Sequence, residues 1–208
     1  TGTLTLNQMT ARELVVQDAR HAVSGEGYSP IGSIDRHADD EPVSIVNALQ
    51  GMALCSDAEV SEVQGDWVLT GDPTEGALVV LAIKGGVDVP SLRSRHPRLN
   101  EVPFDSEHKF MATLHEMVDE LGSRELRLYV KGAPDVLMAR SSTAIGRDGV
   151  ATPIPHVEDS LHAHNNRIAG SGQRVLAIAQ RTFPVDMRDE LTAHETLIDL
   201  VSELTFVG

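Results

Sequence analysis

A single cysteine, Cys55, among 208 residues leaves no partner for an internal disulfide and rules out a zinc site built from several cysteines. Cys55 sits in an apolar stretch and reads as a small buried hydrophobe. Aromatic residues are scarce, at 3%, so each marks a place where a large flat surface is wanted. Basic residues are outnumbered, 17 against 31 acidic, for a formal net charge of -14. No nucleic-acid partner is expected on that balance, because such binders neutralise phosphates with a basic face. No run approaches the roughly 18 apolar residues of a membrane span, and no basic-then-apolar leader opens the chain. No membrane contact by these residues is expected.

The common loops and elbows of enzyme chemistry are missing too. There is no G-x-x-x-x-G-K-[ST] segment and no G-x-G-x-x-G between a strand and a helix. A nucleotide, if bound, is held without a Gly-rich phosphate cradle. Neither H-E-x-x-H nor G-x-S-x-G occurs. His162 and His164 stand two apart on a predicted helix and do not share a face, so no metal site is expected there.

What is present is an ordinary globular composition, 41% hydrophobic and 23% charged. Leu14, Val15 and Val16 predict a strand, and the Gly-, Pro- and Ser-rich stretch 24–40 predicts a long loop. Asp39, Asp40, Glu41 and Pro42 suit a helix start, so a helix is expected over 43–57. After a short strand at 67–70, Asp72 is placed as an N-cap with Pro73 in the first turn and Glu75 completing a capping box. That helix, expected over 74–84, stops at Gly85-Gly86. Strands are expected at 100–104, 110–117, 126–131, 174–180 and 204–207, with helices after Pro134 and over 157–169. Hairpin-like connections outnumber strict strand–helix alternation. The expected fold class is α+β, a twisted antiparallel sheet flanked by helices.

Four segments could carry chemistry, though each alone has an ordinary structural explanation. In Pro103-Phe104-Asp105-Ser106-Glu107-His108-Lys109-Phe110-Met111, a ring at a strand end is followed by a cation and an apolar wall. A base stacked on such a ring gains about 1–3 kcal/mol. In Tyr129-Val130-Lys131-Gly132-Ala133-Pro134-Asp135, glycine after a strand-end lysine lets a ligand approach the backbone at a helix start. Asp72–Glu75 needs no ligand if it is a capping box, and Arg174 in Gly172-Gln173-Arg174-Val175 is either a phosphate contact or a surface charge.

Taken in order, G-D-P-T-E-x-A-L, P-F-D-S-x-x-K-x-M, V-K-G-A-P-D and G-x-R-V-L-A-I-A resemble the nucleotide-binding domain of P-type cation-transporting ATPases. Thr1-Gly2-Thr3-Leu4-Thr5 resembles the tail of that family's D-K-T-G-T-L-T phosphorylation motif, without its first two residues. The P-F-D-S form is similar to the calcium-pump and sodium/potassium-pump branch.

The resemblance implies that Phe104 stacks on adenine with Met111 alongside, and that Glu75 accepts from the adenine amino group in addition to or instead of capping its helix. It implies that Lys109 and Lys131 line the pocket, Gly132 leaves space beside the base, and Arg174 reaches towards the phosphates. Ser106 stands where calcium pumps often carry an arginine, which removes one expected phosphate contact. Thr1 and Thr3 match residues that attend the γ-phosphate and Mg²⁺.

The chain is accordingly expected to be a piece of a longer membrane protein, lying on its cytoplasmic side and working with phosphorylation and actuator domains. Residues 1–9 are expected to belong to the phosphorylation domain, 10–203 to the nucleotide-binding domain, and 204–208 to a strand returning to the former. A monomer that binds ATP and ADP without turnover is expected, with affinity in the millimolar range, about -4 kcal/mol. The alternative is a nucleotide-independent interaction module using the acidic surface and the 24–40 loop.

Overall fold

The computed structural model describes residues 8–118, 121–146, 149–193 and 197–208. Thr1 and Thr3 lie outside the described residues. In chain order the elements are β1 (Glu13–Val16), β2 (Ala19–Val23), β3 (Ile34–Arg36), α1 (Val46–Leu54), β4 (Glu59–Val63), β5 (Asp66–Thr70), α2 (Pro73–Lys84) and α3 (Val89–Arg95). There follow β6 (Arg98–Asp105), β7 (Phe110–Val118), β8 (Arg124–Gly132), α4 (Pro134–Ala139), β9 (Ser141–Ile145) and β10 (Ala151–Pro153). The last are α5 (Glu158–Gly170), β11 (Ala177–Phe183), α6 (Arg188–Ala193) and β12 (Leu204–Phe206).

A seven-stranded sheet, ordered β10-β9-β12-β11-β8-β7-β6, organises the molecule. Its pairs are antiparallel except β12–β9, which run parallel. The fold is α+β with helices against a mainly antiparallel sheet. Leu204–Phe206 lies in the expected strand 204–207 and pairs between β9 and β11.

Side chains alternate across β7 and β8 as strand geometry requires, but both faces are covered. Phe110, Ala112, Leu114, Leu128 and Val130 enter one apolar cluster with Leu137 of α4 and Leu191 of α6. Met111, Met117 and Tyr129 enter another, with Leu49 and Met52 of α1, Leu78 of α2 and Leu92 of α3. Gly51 shows how close α1 lies: a Cβ there would stand 2.8 Å from the Tyr129 ring. Cys55 is buried in this second cluster, as expected, and burial pushes its thiol pKa up.

Local chemistry explains α2 well. Asp72 accepts from the amides of Thr74 and Glu75 at 2.8 and 3.2 Å, and Pro73 opens the helix. The predicted start of α1 is corrected. The helix begins at Val46, not 43, and one of the acids before it, Asp40, is used elsewhere. Arg20 takes the Asp40 carboxylate with its backbone amide, Nε and Nη2, and holds that carboxyl well below the usual carboxylate range. The stretch 24–40 is likewise not wholly loop, since Ile34–Arg36 pairs with β2.

β7 also buries His115, 2% exposed. Its Nδ1 donates to the His96 carbonyl at 2.8 Å, leaving Nε2 to accept from the Thr113 hydroxyl at 3.0 Å. Burial lowers its pKa to about 4, opposed by the bond to the His96 carbonyl and helped by the Arg98 charge. Between that value and the ordinary 6.5, the unfolded chain binds the proton and the folded chain does not. Stability is therefore expected to fall as pH drops through this window, by about 3 kcal/mol from this group at pH 4. Urea unfolding at pH 7, 5.5 and 4 checks this, with a shallower loss expected in His115→Gln. An equal slope in that variant would refute it.

Candidate functional site

The ends of three adjacent strands meet the first turn of α2. Met111 of β7 and Ile178 of β11 flank Lys131 of β8 in register. Lys131 is only 6% exposed, and its ammonium lies 2.6 Å from Glu75 Oε1 and 3.3 Å from Ser56 Oγ. Glu75 Oε2 accepts from the amides of Asp57 and Ala58 at 2.8 and 3.1 Å. Asp72 performs its half of the expected capping box, whereas the Glu75 side chain leaves the helix to hold this buried pair. The reason is electrostatic: a buried lysine needs a carboxylate more than a helix start needs a second cap.

Gly132 follows Lys131 at the strand end. A Cβ there would meet the Lys109 carbonyl at 2.5 Å and Phe110 Cβ at 2.7 Å. The space spared on that side is filled by the neighbouring strand, so glycine serves the sheet's close approach first. Met111 is 2% exposed and forms part of the core wall.

Lys109 closes the turn between β6 and β7 with φ +59°, a conformation in which lysine is strained where glycine would be relaxed. Its amide donates to Asp105 O at 2.7 Å, and its carbonyl accepts from Ala133 N at 3.1 Å. The lysine and serine side chains of this turn, Lys109 and Ser106, are exposed. Phe104 stands just before the turn, where the β6–β7 register shifts between Val102 and Asp105. Such irregularities re-aim side chains, and the Phe104 ring is 64% exposed.

Arg174 precedes β11 rather than opening it, since the strand begins at Ala177 instead of 174. Its Nη1 donates to Thr74 Oγ1 at 3.2 Å, which brings it to the same helix turn that carries Glu75. Arg174 and Thr74 also lie on a groove of about 190 Å³ floored by Met52, Leu78 and Leu176. Phe104, Lys109, Lys131 and Glu75 do not line that groove.

The structure thus gathers Glu75, Lys131, Met111 and Gly132, sets Lys109 against Gly132, and brings Arg174 to Thr74. Sequence reading missed Ser56, the Asp57 and Ala58 amides, and Thr74. The polar pair Ser56-Asp57 after an apolar helix was the available signal, but its partner Glu75 lies 18 residues from Asp57. Among the described residues, no three His, Cys, Asp or Glu side chains gather as around a metal ion. His162 approaches Glu158 at 3.7 Å, while His164 meets Asp18 at 2.7 Å. No described helix is long and apolar enough to cross a membrane.

Residues 44–208 match the family model described as P-type ATPase, cytoplasmic domain N. The chain is 36% identical over 192 residues to a cation-transporting ATPase, pma1, of Synechocystis sp., covering 88% of this chain and 20% of that protein. It is 37% identical over 186 residues to a calcium-transporting ATPase of Bacillus subtilis, covering 87% and 20% respectively. Against the calcium-transporting ATPase type 2C member 2 of Rattus norvegicus it is 35% identical over 187 residues, covering 86% and 19%. The chain spans about a fifth of the length of these curated relatives.

Proposed function

The chain belongs to the P-type ATPase cytoplasmic domain N family, and from that membership we propose that it holds ATP by its adenine ring. The γ-phosphate is then presented to an aspartate outside these residues. The observation that carries this reading is Phe104: a phenyl ring 64% exposed, at an irregular strand end, in a chain with few aromatics. An exposed ring offers a face on which a base can stack. Lys109 supplies a cation in the turn after it, while Glu75 and Lys131 form the polar wall and Met111 the apolar one. Gly132 keeps the strand end slim, Ser106 offers only a hydroxyl, and Arg174 with Thr74 meets the phosphates.

The relatives' names support a parent protein that is an ATP-driven cation pump of the calcium-pump branch, with this domain on its cytoplasmic side. Mg²⁺ finds no carboxylate cluster among the described residues. Thr1 and Thr3, the positions the resemblance assigns near it, lie outside the described residues.

Asp72 already accepts from the Thr74 and Glu75 amides of α2, so these donors are spent before any phosphate arrives. Recognition therefore centres on the base. Calorimetric titration is expected to give Kd values for ATP and ADP within about threefold of each other, both in the millimolar range. ATP binding far tighter than ADP would remove the base-centred reading. No response to either nucleotide would favour the acidic interaction surface instead.

A further inference from the structure

The turn that leaves α1 has two sets of partners. Its donors, the amides of Asp57 and Ala58 and the hydroxyl of Ser56, serve Glu75 and Lys131. Its carbonyls serve an arginine from α3. Arg93 Nε and Nη2 donate to Ala53 O at 3.1 and 3.0 Å, and Nη2 also reaches Ser56 O at 2.8 Å and Ala58 O at 3.1 Å. Arg93 packs into the turn as a half-buried cation, and burial pulls its pKa down from the usual value. Arg98 adds a 2.7 Å ion pair to Asp57 Oδ1.

Ser56 O and Asp57 N belong to one peptide group. That group is rigid and planar, with the carbonyl and the N–H pointing in opposite directions when trans. The chain contains no cis peptide bond among its described residues. Whatever fixes the Ser56 carbonyl therefore also fixes the direction of the Asp57 N–H, 2.8 Å from Glu75 Oε2. A cation on the carbonyl also polarises the peptide and strengthens its N–H as a donor.

We propose that Arg93 is a positioning residue for nucleotide binding, acting through the Ser56–Asp57 peptide on Glu75 and through Glu75 on Lys131. The hydrogen bonds of Arg93 go to the carbonyls of this turn, and its charge reaches Glu75 without a hydrogen bond between them. Its effect is to set the carboxylate that the base and the buried lysine share. The inference rests on the nucleotide reading above and extends it beyond the ring of contact residues.

The test uses the 208-residue chain with ADP as the probe, in wild type, Arg93→Met, Arg93→Lys, Glu75→Gln, Arg93→Met/Glu75→Gln and Phe104→Ala. Arg93→Met is expected to weaken ADP binding about three- to tenfold and to displace the Asp57 and Ala58 amide resonances. Arg93→Lys should recover part of both. In the Glu75→Gln background, Arg93→Met should add little further loss, because its route to the nucleotide is already altered.

Equal losses in the two backgrounds mean a general structural role and overturn the proposal, as does wild-type affinity in a folded Arg93→Met. Should Arg93→Met not fold, Arg93→Lys decides: both amides displaced with weaker ADP binding supports the proposal, and unchanged amides or affinity overturns it. If Phe104→Ala binds ADP as wild type does, the nucleotide reading itself fails. If only the arginine variants behave as wild type, that reading stands and the positioning role falls.

Discussion

Replacing Phe104 by alanine is expected to abolish measurable ATP and ADP binding while leaving thermal unfolding nearly unchanged. Stacking a base on an aromatic ring contributes about 1–3 kcal/mol, a factor of roughly five to one hundred and fifty. On a millimolar complex, even the middle of that range moves the Kd beyond practical titration. The fold should not notice, because the ring is 64% exposed and makes no part of either apolar cluster. Exposed substitutions of this kind usually fall within about 0.5 kcal/mol. Calorimetry for binding and a thermal melt for stability check the two halves together. Binding retained in Phe104→Ala would place the base elsewhere, and binding lost together with the fold would show the ring to be structural.

Glu75→Ala is expected to produce the largest loss of stability of any single change at the site. Lys131 is nearly buried, and without Glu75 its ammonium keeps, among the described residues, Ser56 Oγ at 3.3 Å. Removing one partner of a buried pair costs about 3–5 kcal/mol, a large part of a typical total of roughly 5–15 kcal/mol. The amides of Asp57 and Ala58 lose their acceptor in the same step. Lys131→Met should cost less, because the carboxylate it leaves behind still accepts from both amides. The double variant Glu75→Ala/Lys131→Met should be more stable than Glu75→Ala alone, since no buried charge is stranded. Urea unfolding of the three variants orders them. Equal losses in the two single variants would show that the pair is solvated rather than buried.

Where the sequence was legible, the cause was local. Gly71-Asp72-Pro73-Thr74-Glu75 carries a cap, a first-turn proline and an acid within five residues, and α2 begins where they say. Strands β7 and β8 were also legible, from apolar residues recurring through short segments bounded by turn signals. The errors arose from partners distant in the chain. Asp40 resembled a helix-starting acid until Arg20, 20 residues earlier, claimed it. Strand β2 hid behind Arg20 and His21, and β3 is three residues long, so both depend on pairing that no window of sequence displays.

The site followed the same division. Phe104, Lys131 and Arg174 became candidates because their segments are contiguous and resemble a known pattern. The true partner of Glu75 could not, since Lys131 lies 56 residues away and the competing cap lies in the same helix turn. Arg93 gave no local sign at all. Its three carbonyl acceptors come from residues 35 to 40 positions earlier.

The Asp72 carboxylate at the start of α2 has a further consequence for traffic through the proposed site. On the proposed reading, a holder that has already satisfied those amides keeps Arg174 with Thr74 for the phosphates and separates ATP from ADP only weakly. Spent and fresh nucleotide then compete largely on abundance, and occupancy follows mainly the ratio of ADP to ATP in the surrounding solution. On the same reading, commitment to one nucleotide rests on contacts other than those amides, at the far end of the phosphate chain.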